Sequence, residues 1–140
     1  MVYVSRVEHF NAAHRVYNPS WSDEQNYEVF GNCANPYFHG HNFELIVTVK
    51  GLPHPDTGFV MDMKQLGKLV KEHIVEKVDH RNLNHEVDFL KDKIPTCEVF
   101  VMEIWKILAD KVTESTAGRS QLHSLKLIET PKNFVEYYGE

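Results

Sequence analysis

The stretch His41-Asn-Phe-Glu-Leu-Ile-Val-Thr-Val-Lys-Gly51 decides the fold, because it carries the clearest alternation in the chain. The apolar positions Phe43, Leu45, Val47 and Val49 alternate with Asn42, Glu44, Ile46, Thr48 and Lys50. A period of two is that of a β-strand, which buries one face and leaves the other more polar. We therefore predict a half-buried strand over residues 41–51.

Other segments add further strands and helices to this one. Residues 2 to about 14 mix β-branched and aromatic residues with polar ones, which predicts a first strand. Asp62 and Thr96 are helix N-cap residues that precede apolar positions spaced by three and four, so each predicts a helix. The remaining alternation predicts strands over residues 122–129 and 134–138.

The element order β-β-α-α-β-β indicates an α+β fold, a four-stranded antiparallel sheet with two helices on one face. Two stretches are predicted to be irregular. Residues 18–38 hold a short helix between the capping-box pattern Ser22-Asp-Glu-Gln25 and Gly31, and residues 78–95 show no period. So small a sheet has exposed edges, and pairing between subunits is one way to cover them.

Composition and length limit the class of protein. The 140 residues, 42% of them hydrophobic, suit one domain spanning residues 1–140 with a real core. A net charge of −5 without a basic face predicts no nucleic-acid partner. No stretch approaches the roughly 18 apolar residues of a membrane span, so no membrane association is expected. The opening residues lack a secretory pattern, so we expect a cytoplasmic protein with Cys33 and Cys97 as free thiols.

Three histidines form a candidate metal site. His39 and His41 are two residues apart at the start of the clearest strand, so both point to one face. His14 closes the first strand and would lie beside them if the two strands pair antiparallel. Three nitrogen ligands with an open fourth position are the pattern of catalytic zinc. The alternative is that these are ordinary polar histidines at strand ends.

Cys33 lies in the loop that precedes the histidine pair, with five residues between it and His39. A thiol near a cationic metal is favoured as the thiolate, which could act as a general base. It could equally be a fourth metal ligand, which would make the site structural, or a plain loop cysteine. Spacing alone leaves the three alternatives open.

Two further candidate sites each contain a carboxylate. Asp79 and His80 are adjacent in an irregular segment, and a carboxylate near an imidazole can orient it and raise its basicity. Glu129 ends a predicted strand and could accept two hydrogen bonds from an amidine-like edge of a ligand. The alternatives are a loop with polar caps and an exposed acid at a strand end.

A set of short motifs runs in order along nearly the whole chain. It comprises Phe10-Asn-Ala-Ala-His-Arg15, Phe30-Gly-Asn-Cys33, His39-Gly-His-Asn42, Asp56-x-Thr-Gly58, Asp79-His-Arg-Asn-Leu83, Pro95-Thr-x-Glu98, Glu129-Thr130 and Gly139-Glu140. No motif is decisive alone, but their order and spacing together resemble the 6-pyruvoyl-tetrahydropterin synthase family.

The resemblance implies the tunnelling fold, in which three subunits join their four-stranded sheets into a barrel. Two such trimers stack into a homohexamer with active sites between subunits. It implies a Zn²⁺ cofactor held by His14, His39 and His41, and a small-molecule pterin substrate. Cys33 matches the catalytic base, and Asp79 and His80 match an acid/base pair in which His80 transfers protons. Glu129 matches the acid that grips the amino-pyrimidine edge, and Thr96 a residue that lines its pocket.

The reaction implied is that of a zinc-dependent carbon-oxygen lyase, which converts 7,8-dihydroneopterin triphosphate to 6-pyruvoyl-tetrahydropterin with loss of triphosphate. The rearrangement is internal and needs no external reductant, which agrees with the absence of a G-x-G-x-x-G motif. Close relatives of this type, 6-carboxy-tetrahydropterin synthases on the route to 7-deazaguanine bases such as queuosine, release acetaldehyde as well. The five-residue spacing after Cys33 and the preceding Ser22-Asp-Glu-Gln25 are typical of the pyruvoyl-forming type.

Some positions depart from the family pattern. Cys97 replaces a small polar residue, which predicts a second thiol near the pocket, and Phe38 and Val99 put the detailed pocket shape in doubt. A hypothesis of another class is a non-catalytic pterin-binding protein with a structural zinc site. The presence of Cys33, Asp79 and His80 argues against it, since a binder needs no proton shuttle.

Overall fold

The computed structural model describes residues 1–140, and one mixed sheet forms its framework. The strands are β1 (Val2–His14), β2 (His39–Gly51), β3 (Arg81–Asn82), β4 (Ser120–Thr130) and β5 (Asn133–Tyr137). They lie in the order β3-β1-β2-β4-β5. The helices are α1 (Asp23–Phe30), α2 (Met63–Val70) and α3 (Cys97–Ser115). A π-helical turn, Lys71–Val75, continues α2 into Glu76–Val78, and short 3-10 turns occupy Gly31–Ala34 and Asp88–Leu90.

The α+β class is confirmed, but the predicted four-stranded, wholly antiparallel sheet is wrong in one respect. The four long strands pair antiparallel, whereas β3 adds a fifth strand that runs parallel to β1. Two residues are too short to leave a periodic signal in the sequence, which is why this strand was not expected. The third helix, α1, is the short one expected inside the loop of residues 18–38.

The predicted helix starts are confirmed by side-chain caps. Ser22 Oγ accepts a hydrogen bond from the Gln25 N–H at 3.2 Å, and Asp62 Oδ1 accepts one from Lys64 at 2.8 Å. Thr96 Oγ1 accepts one from the Val99 N–H at 3.3 Å. Each cap satisfies an N–H that the helix itself leaves without a partner. The cap at Thr96 fixes the start of α3, which lies next to the end of β1.

The core lies between the sheet and the two longer helices. The alternating β2 positions Phe43, Leu45, Val47 and Val49 are at most 1% exposed, as the sequence pattern predicts. They pack against helix residues such as Leu66 of α2 and Ile104 of α3, both fully buried. Burying such a side chain contributes about 1.5–3 kcal/mol. This core holds in place the ends of β1, β2 and β4, where the polar side chains described below meet. No helix combines the length and the apolar character that crossing a membrane requires.

Candidate metal centre and cavity

The helix-covered face of the sheet ends in a cluster of polar side chains. Along each strand, every second residue lies on this face, and these residues run from the buried core into the partly buried cluster. They are Phe10, Ala12 and His14 on β1, Phe43, His41 and His39 on β2, and Leu125, Leu127 and Glu129 on β4. The period of two that buries the core therefore also carries three imidazoles and one carboxylate to the same end of the same face.

Strand register brings the three histidines together. In the antiparallel pairing of β1 with β2, His14 lies directly opposite His39, and Ala12 lies opposite His41. The ring centroid of His14 is 4.5 Å from that of His39 and 5.2 Å from that of His41. One ligand atom from each histidine and from Glu129 falls within 4.8 Å of the others. The structure thus has the arrangement that antiparallel pairing predicted.

Glu129 joins the histidines at an irregularity in the sheet. The regular pairing of β4 with β5 is interrupted between Ile128 and Thr130, on either side of this residue. Such irregularities commonly re-aim a side chain beside a functional site. Glu129 Oε1 lies 3.3 Å from Nε2 of His14 and 3.0 Å from Nε2 of His41, without hydrogen-bond alignment. The adjacent His14 imidazole lowers the pKa of Glu129, although partial burial acts in the opposite direction.

The ring nitrogens that face the cluster have no hydrogen-bond partner within the protein. His14 Nδ1–H donates a hydrogen bond to the Pro95 carbonyl at 2.9 Å, so Nε2 is the nitrogen that faces the cluster. Nε2 of His14, Nδ1 of His39 and Nε2 of His41 are buried without a hydrogen-bond partner. Buried polar atoms are almost always satisfied, so three such nitrogens in one place fit a metal ion that they would coordinate.

Electrostatics favour the neutral imidazole forms of His39 and His41. Burial lowers the pKa of His39, and the neighbouring His14 and His41 lower it further. Burial likewise lowers the pKa of His41, with His14 adding to the effect and Glu129 opposing it. Neutral imidazole is the form that binds a metal, so folding prepares these side chains for that role.

A cavity of about 650 Å³ opens beside the cluster. Four of the proposed metal-ligand, catalytic and substrate-binding residues line it, namely His14, Cys33, Thr96 and Glu129. Cys33 is an exposed free thiol in the Gly31–Ala34 turn. The cavity lies within the size range of sites for small molecules and cofactors. The structure thus brings the predicted thiol, a predicted metal ligand and the predicted pocket residues to one cavity.

The second thiol lies on the same wall, as its place in the family pattern predicted. Cys97 is the first residue of α3 and lines the cavity. Burial raises the pKa of its thiol, and the nearby Glu129 carboxylate raises it further. Cys97 is therefore held as a neutral thiol and is a poor candidate for a base.

Asp79 and His80 lie elsewhere, and neither lines the cavity. Asp79 Oδ1 accepts a hydrogen bond from the Asn11 N–H at 2.9 Å, and it lies 3.0 Å from Nδ1 of His80. The backbone N–H of Asn11 is the main cause that lowers the pKa of Asp79. His80 has a positive φ of 58°, an uncommon conformation for a non-glycine residue, and its side chain is 81% exposed. The structure therefore forms the predicted pair but does not bring it to the metal cluster.

Sequence reasoning did not single out the turn between β4 and β5. Lys132 and Asn133 line the cavity next to Glu129, together with Phe134 and Val135 of β5. The available signal was their closeness to Glu129 in the chain. A two-residue connection between antiparallel strands keeps such residues near the end of the preceding strand.

The fold and the site define a class: an α+β protein with a candidate histidine metal centre beside a ligand-sized cavity that holds a free thiol. Comparison with known proteins narrows this class. Residues 3–140 match the family described as 6-pyruvoyl tetrahydropterin synthase. The chain therefore belongs to the 6-pyruvoyl tetrahydropterin synthase family.

Individual relatives agree over nearly the whole chain. The 6-pyruvoyl tetrahydrobiopterin synthase of Poecilia reticulata is 41% identical over 138 residues, which cover 99% of this chain and 90% of that protein. The Homo sapiens protein of the same name is 39% identical over 137 residues, 98% of this chain and 91% of that one. The structure of Caenorhabditis elegans 6-pyruvoyl tetrahydropterin synthase superposes with a TM-score of 0.89 at 35% identity, covering 99% and 96% of the two chains.

Proposed function

We propose that the protein is a zinc-dependent lyase that converts 7,8-dihydroneopterin triphosphate to 6-pyruvoyl-tetrahydropterin with release of triphosphate. The observation that carries the proposal is the set of three buried, unpartnered ring nitrogens next to a cavity that holds a free thiol. Membership of the family supports the pterin substrate and the synthase activity.

His14, His39 and His41 would hold the zinc ion. Nitrogen ligands of this kind suit zinc, and three of them leave a position open for substrate. When bound, zinc would act as a Lewis acid that stabilises negative charge on the side-chain oxygens of the substrate. The hydrogen bond from His14 to Pro95 orients that ring, as an outer partner of a metal ligand commonly does.

Cys33 is the proposed base. Its thiol lines the cavity and is exposed, so it can reach a bound ligand and exchange its proton. The proton that it takes from a side-chain carbon is returned at another carbon, so no external reductant enters. General bases of this kind contribute about 10²- to 10⁴-fold to a rate.

Asp79 and His80 would act from a neighbouring subunit. They lie at the β3 edge of the sheet, whereas residues Asn133–Val135 of the opposite edge strand, β5, line the cavity. Three sheets that join edge to edge into a barrel would set the β3 edge of one subunit against the β5 edge of the next. Asp79 then orients His80, whose exposed ring is free to transfer a proton in the adjoining cavity. Two such trimers would stack into the hexamer that the family resemblance implies.

Glu129 and Thr96 are the proposed contacts to the pterin ring. Both line the cavity, and a carboxylate can accept two hydrogen bonds from an amino-pyrimidine edge. Glu129 also lies close enough to the imidazoles to serve as a fourth ligand. Replacing it by Gln separates the two roles: a variant that keeps zinc but loses pterin affinity supports the ring contact, whereas loss of zinc supports ligation.

Product analysis tests the proposed function. Mass spectrometry after incubating the zinc-loaded protein with 7,8-dihydroneopterin triphosphate should detect a pyruvoyl pterin and free triphosphate. A carboxy pterin with acetaldehyde would keep the site and change the product to that of a 6-carboxy-tetrahydropterin synthase. The absence of any turnover would support the alternative hypothesis of a non-catalytic pterin-binding protein with a structural zinc site.

Cys33→Ala is the accompanying variant. We expect it to lose turnover while it keeps zinc and pterin binding, because the proposed role of the thiol is proton transfer alone. Loss of zinc from this variant would instead make Cys33 a metal ligand and the site structural.

A further inference from the structure

The turn between β4 and β5 places one cation on the cavity wall. Lys132 is the only lysine or arginine among the residues that line the cavity, and it faces the same space as Glu98 and Glu129. Two carboxylates on the wall repel an anionic ligand, and beside the zinc ion proposed at the histidines only the ammonium group of Lys132 offsets them within the wall. The charge of Lys132 therefore matters to any ligand that carries phosphate.

The turn is held by hydrogen bonds, and the lysine side chain is free. Thr130 Oγ1 accepts hydrogen bonds from the N–H groups of Lys132 at 3.3 Å and Asn133 at 3.1 Å. These bonds form a local side-chain cap of the turn, which fixes the backbone position from which the Lys132 side chain extends. Lys132 is exposed, and it forms none of the ion pairs in the chain.

The nearest lysine along β4 shows the contrast. Lys126 Nζ lies 3.6 Å from a carboxylate oxygen of Glu136 and 3.7 Å from the ring centre of Phe134. Both interactions occupy its charge within the protein. Lys132 has no such partner, so its ammonium group remains available to an anion from solution.

We propose that Lys132 binds the polyphosphate group of the ligand and gives the site its preference for a phosphorylated pterin. This inference rests on the proposed function, because the ligand is taken to be a pterin that carries a triphosphate. His14, only 1% exposed, marks the deep end of the cavity, and Lys132 marks its exposed side. The ligand is thereby oriented with its reacting carbons toward the histidines and its phosphates toward the β4–β5 turn.

The test compares two probes on the zinc-loaded protein, with zinc content measured before and after. The probes are inorganic triphosphate and neopterin, which has the ring and side chain without phosphate. In Lys132→Gln we expect the triphosphate dissociation constant to rise about tenfold, as for loss of one charge-assisted contact, while neopterin affinity stays unchanged. Added salt should weaken triphosphate binding to the wild type more than to this variant.

Two matched variants complete the test. Lys91→Gln removes the same charge from another exposed turn lysine without an ion pair, and it should bind triphosphate like the wild type. Lys132→Arg keeps the charge and should retain most of the affinity. Equal triphosphate binding by wild type and Lys132→Gln would overturn the proposal, and so would an equal loss in Lys91→Gln.

The outcome is separable from that of the proposed function. If wild type forms the pyruvoyl pterin but Lys132→Gln binds triphosphate normally, only the assignment of Lys132 fails. If wild type makes no product yet binds triphosphate through Lys132, the polyphosphate site stands and the proposed activity fails.

Discussion

The histidine cluster and the Asp79–His80 pair are built in opposite ways. The cluster is drawn from three strands, lies at the end of the core, and its ring nitrogens are buried. The pair comes from consecutive residues, is anchored by hydrogen bonds to Asn11 of β1, and exposes most of the His80 ring.

This difference bears on where each function is completed. One chain supplies every side chain of the cluster, because its own strands β1, β2 and β4 bring the histidines and Glu129 together. Within the same chain, neither Asp79 nor His80 lines the cavity that opens beside the cluster. A single chain therefore forms the candidate metal centre but keeps its Asp79–His80 pair apart from the cavity. The proposed assembly would bring the pair of a neighbouring subunit to that cavity.

Removing a histidine from the cluster should give the largest effect. We expect His41→Ala to lower zinc affinity by at least about 100-fold, because a lost ligand costs more than a lost outer partner. Competition with a chelator measures it. His9→Ala is the control, since His9 lies on β1 with its side chain 67% exposed. Equal zinc affinity in wild type and His41→Ala would mean that the cluster is not the zinc site.

Removing the imidazole of the Asp79–His80 pair should leave zinc binding unchanged and lower turnover. We expect His80→Ala to keep its zinc and to lose about 10²- to 10⁴-fold in turnover, the range of a general acid/base. Zinc analysis and steady-state kinetics measure both quantities.

Mixing variants sharpens this prediction. Chains that carry His80→Ala and chains that carry Cys33→Ala should regain activity together, because a site between subunits can draw one intact residue from each. Native mass spectrometry verifies that mixed oligomers form. Mixed oligomers no more active than either parent would place the whole site in one chain.

Removing the N-cap of α3, which begins beside the cluster, should have a moderate effect on stability. We expect Thr96→Ala to lower the free energy of unfolding by about 1 kcal/mol, since it removes the acceptor for the Val99 N–H. Chemical denaturation measures this. Thr96→Ser retains the hydroxyl and should be close to wild type, and an equally unstable Ser variant would refute the capping explanation.

The smallest expected effect is the contribution of Asp79 ionisation to the pH dependence of the free energy of unfolding. Its folded-state pKa is lowered, chiefly by the Asn11 N–H, from the usual value of 3.8. The resulting stabilisation is therefore present above pH 3.8 and is lost as the pH falls through the lower, folded-state pKa. Because the group is partly exposed, we expect less than about 1 kcal/mol.

Unfolding free energies measured between neutral and acidic pH check this expectation. Asp79→Asn should flatten the decline at acidic pH. Asp110→Asn, which alters an exposed helix carboxylate without an ion pair, should leave the decline unchanged. If the unfolding free energy of Asp79→Asn falls as steeply with pH as that of the wild type, the hydrogen bond from Asn11 to Asp79 is not the cause of the decline.

The sequence by itself determined the strands, the helix starts and most of the histidine cluster. Alternation fixes which face His39 and His41 share with Phe43, and capping residues fix where α1, α2 and α3 begin. These features depend on the periods of strand and helix, which local sequence carries.

Only the tertiary structure decided the rest. The two-residue strand β3, the approach of Glu129 to the imidazoles, the distance of Asp79 and His80 from the cavity, and the place of Lys132 on its wall have no periodic signal. They depend on strand register, on an irregularity in the sheet and on how a turn lies over a cavity. Strand register and the position of a turn over a cavity are set by contacts between residues far apart in the chain, and the irregularity breaks the period instead of showing one. For these reasons only the folded molecule reveals them.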